Sequence, residues 1–265
     1  RYHAFAIEST KHGLECHACD FRGHGQSGGS RGDIGSLSGA VSDAVALVVS
    51  TQQLTPRLPV IIFGHSLGSL IAYLVAHKLA QDTTLPTPSA VVLSGFAMDS
   101  LSPPFGVDAL IPVLRSLPSA VRSISAMLSS LTPQGPACPL PMPEELTHDT
   151  QEAAHVRADA LHHHGWICNR TALCLLDARA QCRALLPRWG ERFPFLLVHG
   201  GDDRLCPRSA CDALMAASPQ SDKHLKIFEG MYHEVLHETR KQEVVQYILD
   251  WMLPRIGAQL PRSRL

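Results

Sequence analysis

The chain has no surplus of either charge: 23 Lys and Arg stand against 24 Asp and Glu in 265 residues, a formal net charge of −1. With no basic stripe, the electrostatic footprint of a nucleic-acid binder is missing. No apolar run reaches the roughly 18 residues that suggest a membrane-spanning helix. Neither a signal peptide nor an internal repeat is visible. Charged residues make up only 18% and hydrophobic residues 45%. That balance excludes a disordered chain and supplies a sizeable core. Cysteines at 16, 19, 138, 168, 174, 182, 206 and 211 form no tight framework, so reduced thiols in a cytoplasmic protein are expected. Cys16 and Cys19 form a C-x-x-C, but strand residues three apart face opposite ways and no second pair follows. His162, His163 and His164 lack matching carboxylate or cysteine ligands. "GHGQSGG" (23–29) lacks a Walker lysine. No cofactor and no metal is therefore implied.

What is present is an alternation of strands and helices. "PVIIF" (59–63), "SAVVLSGFA" (89–97) and "FPFLLVHGG" (193–201) are continuous apolar runs, as in strands covered on both faces. "HLKIFEG" (224–230) is a further strand, and "LECHACD" (14–20) alternates like one. Helical spacing marks residues 1–15, "SLSGAVSDAVALVVSTQQL" (36–54), "SLGSLIAYLVAHKLA" (66–80) and "KQEVVQYILDWML" (241–253). The pattern predicts an α/β fold with a mostly parallel sheet and helices on both faces. The alternation breaks between 99 and 183. There Leu110, Leu114, Leu117, Val121, Ile124, Leu128 and Leu131 form a helical apolar stripe, which Pro112 and Pro118 divide into two short helices. A proline-rich loop (132–145) follows, and "ALHHHGWICNRTALCLLDARAQC" (160–182) reads as helix again. These features predict a core of residues 1–98 and 184–265 carrying a helical cap of residues 99–183.

The chemistry centres on "GHSLG" (64–68), set between a strand and a helix. A serine hydroxyl is a weak nucleophile that needs exposure and a base. Gly-x-Ser-x-Gly at a sharp strand-to-helix turn supplies the exposure. Small residues are expected at both Gly64 and Gly68, where a side chain is predicted to collide with the crossing elements. Such a serine calls for an acid and then a histidine, each beyond a later strand. "FPFLLVHGGDDRLCP" offers Asp202 and Asp203, and "KIFEGMYHEVLHE" offers His233 and His237. The order Ser66, Asp203, His233 fits. His233 takes the serine proton and Asp203 orients its imidazole.

"DFRGHGQSGG" (20–29), "GHSLG", "HGGDDRLCP" (199–207) and "KIFEGMYHEVLHE" (226–238) together give a chain that resembles the monoglyceride lipases and related lysophospholipase-like serine hydrolases of the α/β-hydrolase fold. The resemblance implies hydrolysis of fatty-acid esters, monoacylglycerol first, with a lysophospholipase or a serine aminopeptidase as alternatives. A catalytically dead binding protein of the same fold is the alternative of another class. The resemblance selects Asp203 over Asp202 and His233 over His237. It sets Cys206 beside the acid loop as a thiol-sensitive position. The apolar stripe suits a lid over an acyl chain, so Leu110, Leu114, Leu117 and Cys206 are expected along the substrate's path. A lipid ester is the implied partner, with peripheral membrane contact through the cap; oligomeric state is left open. The oxyanion hole implied uses the Leu67 N–H and a second donor from a His-Gly loop upstream of a segment like "RYHAFA". The sequence starts at Arg1 without a methionine, so the resemblance implies missing N-terminal strands and a chain of weak or no activity.

Overall fold

The computed structural model describes residues 1–56, 58–99 and 117–257. Its centre is a parallel sheet of β1 (Ile61–His65), β2 (Ala90–Ser94), β5 (Phe195–Gly200) and β6 (Lys223–Phe228), paired side by side in that order. A two-stranded antiparallel ribbon, β3 (Pro136–Pro139) with β4 (Trp166–Cys168), stands apart. The described helices are α1 (His3–Lys11), α2 (Leu37–Leu54), α3 (Leu67–Gln81), α4 (Pro118–Leu131), α5 (Thr150–Ala158), α6 (Asn169–Leu185), α7 (Ser209–Ala217) and α8 (Lys241–Gly257).

The apolar runs of β2 and β5 are continuous because both faces of the sheet are covered. Val91 and Leu93 of β2, with Phe195 and Leu197 of β5, face a core built with α2, α3, α6 and α7. Ala90 and Val92, with Leu196 and Val198, face the opposite core and meet Val244, Ile248 and Leu249 of α8. Strand periodicity of two thus divides one run between two cores. On the first side Tyr73 and Trp189 stack with centroids 4.2 Å apart, and the Trp189 indole donates to the Tyr73 carbonyl at 2.8 Å. On the second side Tyr2 and Phe5, which flank and enter α1, pack on Phe63 of β1.

Residues 14–20 differ from expectation. They form no strand, and residues 15–20 are exposed. Alternation makes a strand only where a neighbouring backbone accepts its hydrogen bonds, and among the described residues β1 pairs with β2 alone. The segment expected to be helical from 160 also differs: Trp166–Cys168 pairs with β3, and the helix starts at Asn169. Pro118 opens α4, the position where a missing N–H costs nothing. The first of the two short helices expected around it falls outside the described residues, as do Leu110 and Leu114. Between β2 and β5, α6 packs on α3, and its Cys174, Ala178 and Cys182 are buried in the first core. In contrast, α4 buries no residue, and Ile124, Met127, Leu128 and Leu131 are exposed.

Candidate active site

Parallel register brings the carboxyl ends of the strands level, with His65 opposite Ser94 and Ser94 opposite Val198. The loops leaving those ends carry the candidate residues. Ser66 joins β1 to α3 at φ 53° and ψ −124°, and among the described residues it alone has positive φ without being glycine. Such a conformation costs about 1–3 kcal/mol and persists only where surroundings impose it. Here the Ser66 N–H donates to the Ser94 carbonyl at 3.0 Å, and its carbonyl accepts from the Ser69 N–H at 2.8 Å and the Ser69 hydroxyl at 2.5 Å. Gly64 is the tight point of the turn. A Cβ there would overlap the Gly68 carbonyl and stand 2.6 Å from the Ala72 Cβ. Gly68 departs from expectation, since a Cβ on it would meet nothing within 4 Å. The crossing is close at the end of the strand, whereas Gly68 is already on the open side of the first helical turn.

Asp203 follows β5 and is 7% exposed, whereas the neighbouring Asp202 lies on the surface. Its Oδ1 accepts from the Leu205 and Cys206 amides at 2.8 and 2.9 Å, and its Oδ2 meets His233 Nδ1 at 2.8 Å. Burial pushes its pKa up, but the His233 hydrogen bond and charge, the Cys206 amide and His199 outweigh it, and the net shift is down. An ionised carboxylate only accepts, so Nδ1 of His233 carries the proton and Nε2 holds the lone pair. His233 is 2% exposed, and its Nε2 is buried without a hydrogen-bond partner. No hydrogen bond therefore joins it to Ser66 in this conformation. The two are nonetheless close neighbours in the fold. The ring of His65, adjacent to Ser66, lies 4.8 Å from that of His233. Gly95, at φ 53° just after β2, faces both rings, and a Cβ there would stand 2.8 Å from His233 Cε1 and 3.1 Å from His65 Cε1.

His237 is held elsewhere: its Nε2 bonds the Arg1 carbonyl at 3.2 Å, and Tyr2 packs edge-on against it. His199 supports the acid loop through Nε2, which donates to the Cys206 carbonyl at 3.2 Å. Burial, against the opposing pull of Asp203, holds its pKa down. Desolvation and then the neighbouring imidazoles of His233 and His237 hold His65 well below the usual imidazole range. Ser94 and Gly95 carry no sequence signal of their own, because only the strand register brings them to the site, whereas His65 and His199 stand inside the "GHSLG" and "HGGDDRLCP" stretches. Glu238 ends the quoted "KIFEGMYHEVLHE" stretch, yet nothing in the sequence singles it out.

Leu67 begins α3, so its N–H lies in the first helical turn, which lacks intrahelical acceptors. Leu117 precedes α4 and is 53% exposed. Cys206 is buried in the acid loop, where burial and then Asp203 push its thiol pKa far up. One atom each from Asp203, Cys206 and His233 lie within 4.8 Å of one another, a spacing suited to a metal. Both Asp203 oxygens are already engaged, Oδ1 by the Leu205 and Cys206 amides and Oδ2 by His233, the arrangement of an acid–base pair. Cys16 and Cys19 are both exposed.

Comparison with known proteins finds hydrolases that match over most of the chain. A monoacylglycerol lipase of Mycolicibacterium smegmatis is 31% identical over 259 residues, 97% of this chain and 84% of that protein. A monoglyceride lipase of Rattus norvegicus is 29% identical over 243 residues, 91% of this chain and 73% of that protein. The crystal structure of a monoacylglycerol lipase from Paleococcus ferrophilus superposes with a TM-score of 0.78 at 24% identity, covering 96% of this chain and 89% of that one, and shares the fold. Residues 1–240 match the family model described as serine aminopeptidase, S33. The chain belongs to that family of hydrolases, on the α/β-hydrolase fold.

Proposed function

We propose that the protein is a serine hydrolase that cleaves fatty-acid esters, monoacylglycerol first, with Ser66 as nucleophile, His233 as base and Asp203 as the residue that orients it. The observation that carries this reading is the buried 2.8 Å bond from His233 Nδ1 to Asp203, which leaves Nε2 as the free base beside the strained turn of Ser66. Rotation of the serine side chain toward Nε2 completes the relay, a contact that often tightens only when substrate binds. Nε2 takes the hydroxyl proton as Ser66 Oγ attacks the ester carbonyl. The Leu67 N–H donates to the oxyanion of the tetrahedral intermediate. The imidazolium then protonates the departing glycerol oxygen, leaving an acyl-serine. Water, deprotonated by His233, releases the fatty acid and restores Ser66.

The substrate class rests on the named activity of the relatives that are 31% and 29% identical. The cap lies within residues 99–168, ahead of α6, whose Cys174, Ala178 and Cys182 are buried in the first core, with Leu117 and Cys206 toward the acyl path. The exposed face of α4, with Ile124, Met127, Leu128 and Leu131, is the part that rests on a lipid surface. No helix among the described residues is long and apolar enough to cross a membrane, which fits a peripheral mode of contact. The eight unpaired cysteines support a reducing, cytoplasmic setting. The test is a substrate profile of the full-length protein over monoacylglycerols of rising chain length, lysophospholipids, acetyl esters and aminoacyl amides. Highest kcat/KM on medium or long monoacylglycerols is expected. Preference for acetyl esters or for peptides with a free N-terminus overturns the reading.

A further inference from the structure

Glu238 is a charged side chain buried to 1% exposure that the proposed chemistry does not use. It closes the loop that carries His233. That loop leaves β6 at Phe228, turns at Gly230 with φ 74°, passes Tyr232 and His233, and ends in a short 3-10 turn, Val235–His237. Little sheet or helix structure fixes it. The backbone amides on either side of His233 are tied instead to two outside groups. The Tyr232 N–H donates to Glu238 Oε1 at 2.8 Å, and the Glu234 N–H donates to the Leu146 carbonyl at 2.9 Å. The second tie comes from the segment between β3 and α5, and Glu238 holds that segment as well. Its Oε2 accepts from the His148 N–H at 3.2 Å, and its Oε1 meets His148 Nδ1 at 2.9 Å. The Thr147 hydroxyl reinforces the junction by donating to the His237 carbonyl at 2.8 Å. The His148 ring lies 3.7 Å from that of Tyr232, and Arg204 of the acid loop covers Tyr232 at 4.6 Å.

From this geometry we infer that Glu238 is a positioning residue for His233: it fixes the backbone on the amino side of the histidine and couples it to residues 146–149 of the insertion. The assignment rests on the Ser66–His233–Asp203 reading and deepens it. The chemistry of the group explains why a carboxylate is needed. Both oxygens accept: Oε1 from Tyr232 and His148 Nδ1, Oε2 from the His148 and Thr239 amides. A glutamine of the same shape turns one acceptor into a donor, and that donor faces an N–H. The buried amide left unpaired must then move or remain unsatisfied. Because Tyr232 is bonded to His233 through one peptide, its displacement tilts the imidazole away from Asp203.

The experiment compares the full-length wild type with Glu238→Gln, His148→Ala and Asp203→Asn by two readouts. The first is the side-chain 15N signature of His233, which reports tautomer and Nδ1 proton exchange whether or not the protein turns over substrate. The second is the separate measurement of kcat and KM on a soluble ester. In the wild type, His233 is expected as a single Nδ1–H tautomer. In Glu238→Gln the signature moves toward that of Asp203→Asn, and kcat falls roughly 10- to 100-fold with KM changed less than about threefold. His148→Ala, which removes one exposed-side partner, moves the signature the same way by less, and serves if Glu238→Gln does not fold. A folded Glu238→Gln, or His148→Ala in its place, with an unchanged His233 signature overturns the inference. Loss of hydrolysis in the wild type with the signature changes intact would count against the proposed function and leave the positioning role standing.

Discussion

Gly64 and Gly68 look alike in sequence, yet the structure predicts opposite outcomes when each receives a methyl group. In Gly64→Ala the new Cβ overlaps the backbone carbonyl of Gly68 and stands 2.6 Å from the Ala72 Cβ. Neither neighbour is the free end of a flexible side chain, so α3 must lift from β1. Overpacking a core commonly costs about 1–3 kcal/mol, and a clash with backbone belongs at the upper end. At about 2–4 °C per kcal/mol for a domain of this size, the melting temperature drops by roughly 6–12 °C. In Gly68→Ala the Cβ meets nothing within 4 Å and sits in the first turn of α3. The reduced entropy of the unfolded chain then stabilises by about 0.5 kcal/mol, a rise of roughly 1–2 °C. Differential scanning calorimetry of the two variants decides the matter. A Gly64→Ala protein melting within about 2 °C of wild type, or a Gly68→Ala protein that loses as much as Gly64→Ala, would refute this account of the turn.

Acid should destabilise the fold before any carboxylate titrates. His65, His199 and His237 have lowered pKa values, each with desolvation as its largest cause. For such groups the unfolded chain binds more protons than the folded one below about pH 6.5, so stability falls with pH in that window. Asp203, also lowered, adds its loss at lower pH, as the medium passes below the ordinary carboxylate range toward its folded value. Melting temperatures measured from pH 7.5 to 5 should fall, with a shallower slope in His65→Asn; a flat profile contradicts the burial of these rings. Separately, Asp149 caps α5 by accepting from the Gln151 and Glu152 amides at 3.0 and 3.2 Å. Asp149→Ala should cost about 1 kcal/mol, or roughly 2–4 °C in the same assay.

β1, β2 and β5 were legible because burial on both faces writes a continuous apolar run, and the elbow was legible because its glycines flank the serine. Other features were not. Residues 14–20 alternate correctly yet form no strand, since pairing depends on a neighbour that local pattern cannot supply. The ribbon of β3 and β4 hides in proline-rich sequence with too few residues to show a period. Asp202 and Asp203 are indistinguishable by composition and order, and in the sequence the resemblance alone chooses between them. Their difference, one buried and bonded to His233 and the other exposed, appears only after folding. Glu238 reads as an ordinary acid at the end of the histidine stretch, and its hydrogen bonds cross 90 residues to His148.

The most direct measurement is the site at which a fluorophosphonate attaches to the full-length protein, mapped by peptide mass spectrometry. Modification of Ser66 alone is predicted, absent in Ser66→Ala and slowed by orders of magnitude in His233→Ala. A folded protein that stays unmodified, or reacts at another residue, would contradict the assignment of Ser66 as a nucleophile activated by His233.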